Sequence, residues 1–233
     1  MAPDRTPQAP TPLSAHEIER RKEASARAAA EQVEDGMRVG LGTGTTISYL
    51  LAALGERAGE LHRTRFAATS PATAQIATEL GLAVVELDQL GELDLAIDGA
   101  DQVDPDGWLV KGGGGAHTRE KIVASAALRF VVIVSAEKLV TRLEPPIPLE
   151  ILRFGASQTL AALGDARLRG MTSPDGNLLA WCDLPIGDPR ALAARLSQTP
   201  GVVEHGLFAP EMVSEILIAG PGGVTRRTQH MTP

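Results

Sequence analysis

Short runs of apolar and β-branched residues alternate with amphipathic segments through the first part of the chain. The apolar runs predict strands, and segments whose apolar residues recur three and four positions apart predict helices. The predicted strands are 37–41, 65–68, 83–87, 93–97 and 130–134, and the predicted helices are 15–33, 47–54, 71–80 and 120–128. Buried strands separated by helices are typical of a parallel sheet that is covered on both faces.

The pattern changes after Leu143, where the proline-containing segment 144–148 predicts a stiff connector. Beyond it the pattern predicts a strand at 149–154, a helix at 157–163, strands at 166–171 and 178–183 joined by a hairpin turn at 174–177, a helix at 189–196 and a strand at 202–204. This order is the split βαβ arrangement of a small ferredoxin-like domain. A further strand at 216–219 is expected to rejoin the first sheet, and the C-terminal end is expected to fray.

Together these elements predict an α/β fold, a Rossmann-like, mostly parallel sheet with an inserted smaller α+β (ferredoxin-like) domain. Residues 15–144 and 205–233 are expected to form the Rossmann-like catalytic domain, and residues 145–204 the small domain. Residues 1–14 hold four prolines and few apolar residues, which predicts a disordered tail. Ser14 is suited to cap the first helix.

Composition excludes several classes of function. The formal net charge of -7 argues against a general nucleic-acid or anionic-membrane surface, and aromatic residues, at 3%, are too scarce for base stacking. No apolar run approaches the roughly 20 residues of a membrane span, and the N-terminus lacks the apolar core of a secretory signal. A cytoplasmic location is therefore expected. The single cysteine, Cys182, is interpreted as a small buried hydrophobic residue rather than a catalytic thiol.

Ligands of such sheets bind outside the carboxyl ends of the strands, where segments 42–46, 98–101 and 135–138 all fall. Segment 42–46 reads Gly-Thr-Gly-Thr-Thr between a strand and a helix, where free amides and the helix dipole favour an anion. Tight strand-to-helix turns also use Gly and Thr, so a structural role stays open. A dinucleotide site is not supported, because segment 40–44 lacks the third glycine and no acid ends the second strand.

Lys111 precedes four consecutive glycines, 112–115. Such a run costs folding entropy, so it indicates that the backbone approaches something closely. A cation beside open backbone amides suits a phosphate or a developing oxyanion. Glu120 opens the predicted helix that follows, where it is either an acid favoured by the helix dipole or a general base held near Lys111.

The other polar residues of this region have structural alternatives. Asp98 is followed by glycine, a common turn pair. Segment 104–107 echoes part of a calcium-binding loop, but the first and twelfth ligand positions hold Gln102 and Gly113. His117 has no obvious partner in the sequence and is expected to be structural or to lie at the rim.

Four motifs together resemble ribose-5-phosphate isomerase of type A. They are Gly42-Thr43-Gly44-Thr45-Thr46, Asp98-Gly99-Ala100-Asp101, Lys111-Gly112-Gly113-Gly114-Gly115 with Glu120, and Pro200-Gly201-Val202-Val203-Glu204-His205-Gly206-Leu207-Phe208. The resemblance covers nearly the whole chain from about residue 15. It implies interconversion of D-ribose 5-phosphate and D-ribulose 5-phosphate through an enediolate, in the non-oxidative pentose phosphate pathway, with no metal or cofactor. It also implies a homodimer or homotetramer, with the small domain used largely for oligomer contacts.

The resemblance further implies the role of each residue. Glu120 would be the general base that carries a proton between C2 and C1, and Lys111 with the amides of 112–115 would stabilise the enediolate oxygen. Asp98 would help to open the furanose ring. The implied substrate-binding residues are Thr43, Gly44, Thr45, Thr46, Asp98, Gly99, Ala100, Asp101, Lys111, Gly112, Gly113, Gly114, Lys138 and Lys22. Thr43 to Thr46 would receive the phosphate, assisted by Lys138 and Lys22.

Three positions depart from the family pattern. Gln102 stands where the family usually has Glu, Ala136-Glu137-Lys138 replaces a more usual Asp-Glu-Ser-Lys, and His117 replaces an apolar residue. A competing hypothesis is a sugar-phosphate sensor that shares this sheet, but such a regulator should carry an upstream helix-turn-helix module. The 36 residues before the first predicted strand are too few for one. An inactive interaction protein would leave Lys111 and Glu120 without a function.

Overall fold

The computed structural model describes residues 13–229. These residues form six α-helices, α1 (Ala15–Ala30), α2 (Thr45–Glu56), α3 (Pro71–Glu79), α4 (His117–Ser125), α5 (Ala156–Leu163) and α6 (Pro189–Gln198). They also form thirteen strands, β1 (Arg38–Leu41), β2 (Arg65–Ala68), β3 (Leu95–Gly99), β4 (Gln102–Val103), β5 (Leu109–Val110), β6 (Phe130–Ser135), β7 (Ile147–Ile151), β8 (Ala166–Thr172), β9 (Leu178–Cys182), β10 (Val202–His205), β11 (Leu207–Phe208), β12 (Glu215–Gly220) and β13 (Gly223–Thr228). Of the predicted disordered tail, residues 1–12 lie outside the described residues.

The central sheet has the order β13-β12-β6-β3-β1-β2, and every neighbouring pair is parallel except β12 with β13. The predicted Rossmann-like, mostly parallel sheet is therefore confirmed. Strand β6 is buried along its whole length, and its side chains alternate between two cores. Val131 and Ile133 pack with α1 and α2 on one face, whereas Val132 and Val134 pack with α4 on the other. Burial on both faces explains why the run lacks polar alternation.

Two helix starts follow from local capping. The Ser14 hydroxyl accepts a hydrogen bond from the amide of Glu17 at 3.2 Å, and the Ser70 hydroxyl accepts one from the amide of Thr73 at 3.1 Å. Pro71 occupies the first turn of α3, where a missing N–H has no cost. Both starts agree with the sequence predictions, although α1 ends at Ala30, three residues early.

The smaller sheet has the order β10-β7-β9-β8, with all neighbours antiparallel. With α5 and α6 it forms the predicted split βαβ arrangement. Its core is a separate cluster that includes Leu149, Leu163 and Leu196. The β8–β9 hairpin turns at Gly176, whose φ of +83° favours glycine. The proposed division into domains at residues 144/145 and 204/205 stays a prediction.

Three parts of the chain differ from the sequence prediction. Residues 83–87 form no regular strand but only one bridge, between Phe66 and Val84, followed by a 3₁₀ turn. The end expected to fray forms β13, which pairs with β12 over its full length. A third sheet, β11-β5-β4, was not predicted because strands of two residues carry no readable period. Within residues 13–229, no helix is long and apolar enough to cross a membrane.

Gly206 joins the two larger parts of the structure. Its carbonyl accepts a hydrogen bond from the amide of Lys111, and its own amide donates to the carbonyl of Pro148 in β7, both at 2.8 Å. A Cβ atom at residue 206 would lie 2.1 Å from the carbonyl oxygen of Lys111. Only glycine therefore allows the small sheet to approach the segment that carries Lys111.

Gly206→Ala should lower the free energy of unfolding by about 1–3 kcal/mol, the usual cost of overpacking, because backbone atoms must move apart. Denaturant unfolding of the purified variant measures this loss. Gly222→Ala is the matched control, since a Cβ atom there meets no heavy atom within 4 Å. Equal stability of the two variants would contradict the assignment of Gly206 as a tight junction.

Candidate active site

Loops at the carboxyl edge of the central sheet enclose a cavity of about 140 Å³. Its lining residues are Lys22, Thr43, Gly44, Thr45, Thr46, Ile47, Gly99, Ala100, Asp101, Lys111, Gly112, Gly113, Gly114, Glu120 and Lys138. Apart from Asp98, every substrate-binding residue predicted from the sequence lines this cavity. Asp98 lies directly behind Lys111. The structure therefore brings the predicted residues together, while their individual roles stay predictions.

Lys111 lies between two carboxylates in the wall of the cavity. Its ammonium group is 2.7 Å from Oδ2 of Asp98, 3.0 Å from Oε2 of Glu120 and 2.6 Å from the carbonyl oxygen of Gly99. All three charged side chains are at most 4% exposed. The ring of Phe208 lies 5.4 Å from the ammonium and adds a cation–π contact. Two negative charges thus share one positive charge in a site that is nearly free of solvent.

Local structure explains how the two carboxylates meet. Asp98 follows Ala96 on the face of β3 that packs against α4, because side chains two apart in a strand share a face. On α4, Glu120 lies one turn before Val123 and Ala124, which pack in that same core. The core between β3 and α4 therefore brings Glu120 and Asp98 within contact of the same lysine, Lys111.

Asp98 is held by a close interlock with the loop after β1. Its Oδ1 accepts hydrogen bonds from the amides of Thr43 at 3.2 Å and Gly99 at 2.7 Å. A Cβ atom at residue 42 would lie 1.9 Å from the same oxygen. Gly42 is therefore required because the Asp98 carboxylate occupies the space that a side chain would need.

Burial and the neighbouring charges shift the pKa values of both Glu120 and Lys111. Burial, and secondly the negative charge of Asp98, raise the pKa of Glu120 to about 7 against the opposing effect of Lys111. Burial lowers the pKa of Lys111, but the two neighbouring carboxylates outweigh that effect and the net pKa is raised. Lys111 is therefore a permanent cation, and Glu120 can exchange a proton near neutral pH.

Glu120 contacts the same cation as Asp98. Its Oε2 lies 3.0 Å from the Lys111 ammonium, and this contact opposes the rise of the Glu120 pKa. Two other contacts of the ammonium go to Asp98 and to the carbonyl of Gly99. A buried carboxylate with a pKa near 7 is suited to accept a proton from carbon.

Two of the four amides in the glycine run donate hydrogen bonds within the protein, and two do not. The amide of Gly113 donates to Oδ2 of Asp101 at 2.9 Å, and the amide of Gly115 donates to the carbonyl of Gly112 at 3.0 Å. Among residues 13–229, no acceptor is in hydrogen-bond geometry with the amides of Gly112 and Gly114. Of the four amides assigned to an oxyanion on resemblance, only those of Gly112 and Gly114 are therefore available.

The opposite end of the cavity is suited to an anion. Gly44 adopts φ +132° ahead of α2, and the first amides of that helix belong to Thr45 and Thr46, which line the cavity and have no acceptor within the helix. Lys22 and Lys138 also line the cavity, and Lys138 has no carboxylate within 4.0 Å in the described residues. Lys22 pairs with Glu19 at 2.7 Å.

Thr43 is engaged within the protein rather than free for a ligand. Its hydroxyl lies 2.7 Å from that of Thr69 and 3.3 Å from that of Thr73, while its amide serves Asp98. Sequence analysis missed Thr69 and Thr73. A signal was available, because Thr69 directly follows β2 at the carboxyl edge of the sheet. Ile47 was missed because an apolar residue in α2 reads as core.

His117, Gln102 and Cys182 fall outside the cavity wall. His117 is fully buried, packs against Gly112, and has a pKa that burial lowers to about 3. Gln102 exchanges two hydrogen bonds with the backbone of Glu144, so this departure from the family pattern does not face the cavity. Cys182 is fully buried in the small core, as predicted. No cluster of three or more His, Cys, Asp or Glu suited to a metal ion occurs in the described part of the chain.

Comparison with known proteins decides the family. A family model described as Ribose 5-phosphate isomerase A (phosphoriboisomerase A) matches residues 65–223. The chain belongs to the ribose 5-phosphate isomerase A family. The match spans the glycine run, Lys111 and Glu120, as well as the whole small sheet.

Curated members of the isomerase family align over most of the chain. Ribose-5-phosphate isomerase A of Roseiflexus sp. (strain RS-1) is 44% identical over 218 residues, covering 87% of this chain and 93% of that protein. The protein of the same name from Caulobacter vibrioides (strain NA1000 / CB15N) is 44% identical over 222 residues, covering 88% and 96%.

Solved isomerase structures have the same fold. Ribose 5-phosphate isomerase A from Methanocaldococcus jannaschii has a TM-score of 0.85 at 33% identity, covering 90% of this chain and 99% of that chain. A D-ribose-5-phosphate isomerase in complex with phospho-erythronic acid has a TM-score of 0.86 at 33% identity, covering 91% and 99%.

Lys111→Met should destabilise the fold by about 3–5 kcal/mol at neutral pH, since it leaves two buried carboxylates without their cation. Denaturant unfolding measures the loss. The double variant Lys111→Met with Asp98→Asn removes one negative charge as well and should recover part of it. If the double variant is less stable than Lys111→Met alone, charge repulsion is not the cause.

Proposed function

We propose that this chain interconverts D-ribose 5-phosphate and D-ribulose 5-phosphate, with Glu120 as the base and Lys111 as the electrophile. The observation that carries the proposal is the buried Glu120 carboxylate, with a pKa of about 7, 3.0 Å from a permanently charged lysine in the wall of the cavity. The family and its 44% identical relatives support the reaction. A sensor that only binds sugar phosphate would have no use for a carboxylate tuned in this way.

The phosphate is proposed to bind at the N-terminus of α2. Free amides at Thr45 and Thr46 and the positive end of the helix dipole favour a dianion there. Lys138 and Lys22 add positive charge to the same cavity. Thr43 is proposed to contribute by shaping the loop, because its hydroxyl and amide already have partners.

With the phosphate at the N-terminus of α2, the open-chain sugar is proposed to extend through the cavity to Glu120. In the forward direction, Glu120 removes the proton on C2, the C1–C2 double bond forms, and the C1 carbonyl oxygen becomes the enediolate oxyanion. Glu120 then returns the proton to C1, and the proton of the C2 hydroxyl passes to the oxyanion on C1, so that C2 becomes the ketone and C1 carries a hydroxyl. Proton transfer by a positioned carboxylate lowers the barrier because the C–H is a weak acid.

The oxyanion is proposed to bind beside Lys111 and the amides of Gly112 and Gly114. A fixed cation and fixed dipoles in a water-poor site stabilise developing charge without reorganisation. Asp101, which is exposed to the cavity, is proposed to bind a sugar hydroxyl. Asp98 is proposed to orient Lys111, since its contacts are with that lysine and with backbone amides. Its part in ring opening stays a prediction.

Several expectations from the resemblance stay predictions. They are a cofactor-free reaction, a cytoplasmic location, and a homodimer or homotetramer. The small sheet carries an apolar surface that an assembly would cover, since Phe154 is 94% exposed and Leu152 is 46% exposed. Sugar phosphate is the small-molecule partner that the cavity supports, and no nucleic-acid or membrane partner is proposed.

Glu120→Gln should lower kcat by roughly 10²–10⁴-fold, the usual contribution of acid–base catalysis, while phospho-erythronic acid still binds. Steady-state isomerase assays and calorimetric titration measure the two quantities. Glu120→Asp is the matched variant, because it keeps a carboxylate on a shorter side chain and should retain more turnover than Glu120→Gln. Near-normal turnover of Glu120→Gln would remove this residue from the mechanism.

The pH dependence of kcat/KM follows from the raised pKa of Glu120. The base must be ionised, so kcat/KM should fall as the pH drops through about 7. Asp98→Asn removes a negative charge that raises this pKa, so the acid limb should move about one unit to lower pH. The substrate phosphate titrates identically with both enzymes, so the shift isolates the protein group. An unmoved limb would show that Glu120 is not the group that titrates.

A further inference from the structure

Arg169, on strand β8 of the small sheet, reaches across to the glycine run of the cavity. Its Nη1 donates to the carbonyl of Gly112 at 3.0 Å, and its Nη2 donates to the carbonyl of Gly113 at 2.6 Å. Neither the four sequence motifs nor the cavity lining includes this residue. Among the described residues, Arg169 is the charged residue of the small sheet whose side chain forms hydrogen bonds with the glycine run.

The guanidinium group of Arg169 also contacts an aromatic ring of the small sheet. It stacks on the ring of Trp181 in β9, with its central carbon 4.1 Å from the ring centroid. Partial burial lowers the pKa of Arg169, and the negative charge of Asp101 acts in the opposite direction. A planar, stacked fork suits two adjacent carbonyl oxygens in a way that a flexible lysine does not.

Holding these two carbonyls also sets the direction of two amides. In a planar trans peptide, the C=O of one residue and the N–H of the next point in opposite directions. The Gly112 carbonyl therefore fixes the amide of Gly113, which donates to Asp101. The Gly113 carbonyl fixes the amide of Gly114, one of the two free amides in the cavity.

We propose that Arg169 is a positioning residue for the isomerisation, which aims the Gly114 amide at the enediolate oxygen and holds Asp101 at the sugar. This inference rests on the proposed function because it takes the reaction to be the isomerisation of ribose 5-phosphate. The geometry also gives the small sheet a part in the site, in addition to the oligomer contacts implied by the family resemblance. Arg169 acts through the loop, so its loss should affect the transition state more than substrate binding at the phosphate end.

Arg169→Ala should lower kcat roughly 10- to 100-fold, the size expected for a small misplacement of catalytic groups, with KM changed by less than about 3-fold. Millimolar guanidinium chloride should restore part of kcat, because the free cation can occupy the same stacked position. Arg169→Lys keeps the charge without the fork and should stay impaired. It also serves as a second folded variant if Arg169→Ala is unstable.

Arg167→Ala is the matched control. Arg167 lies two residues earlier on the same strand, is 56% exposed and pairs with Asp183 outside the cavity. Its kcat should equal that of the native chain. Amide hydrogen exchange of residues 111–116 should become faster in Arg169→Ala and stay unchanged in Arg167→Ala.

The outcomes separate this inference from the proposed function. If the native chain does not isomerise ribose 5-phosphate, the function fails, but the exchange experiment still decides whether Arg169 orders the loop. Unchanged exchange, unchanged kcat, or an equal loss of kcat in Arg167→Ala would each overturn the positioning role. A rise in KM at constant kcat would also overturn it, because it would assign Arg169 to ground-state binding.

Discussion

The structure depends on one buried cation placed between two buried carboxylates. Neither Asp98 nor Glu120 would be tolerated so far from solvent without Lys111, since isolated buried charges are strongly unfavourable. With one cation for two anions, the neutralisation is incomplete, and burial together with the charge of Asp98 raises the pKa of Glu120 to about 7. The same arrangement that costs stability therefore supplies a carboxylate that can exchange a proton near neutral pH, as the proposed base requires.

This arrangement requires glycine at several positions where a neighbouring group occupies the space of a side chain. Asp98 occupies the space above Gly42, and the carbonyl of Lys111 occupies the space above Gly206. His117 fills the space beside Gly112 in the same way. Gly42 and Gly206 are therefore fixed by packing between segments that are distant in sequence, whereas Gly112 meets a residue of its own segment and its φ of +106° also favours glycine.

Much of the site could be predicted from the sequence, because its residues stand in contiguous motifs at strand ends. Asp98 ends an apolar run at the carboxyl edge of the sheet, Lys111 directly precedes the glycine run, and Glu120 follows that run. The parallel sheet was predictable for the same reason, since β6 is a continuous apolar stretch. The two-residue strands, the contact of Arg169 with the loop, and the partners of Thr43 depend on long-range packing, which leaves no periodic signal. Which of the four glycine amides are free and which have acceptors also depends on the fold of the loop and on the position of Asp101.

The lining of the cavity is asymmetric, and this has a consequence for the order of events in binding. Lys22, Lys138 and the N-terminus of α2 give one end a positive potential, whereas Asp101 and Glu120 give the other a negative one. A phosphate dianion that entered in reverse would face carboxylates at close range, at a cost that grows as water leaves. With the phosphate bound as proposed, the field of the cavity would select one direction of entry before any sugar hydroxyl has formed a hydrogen bond.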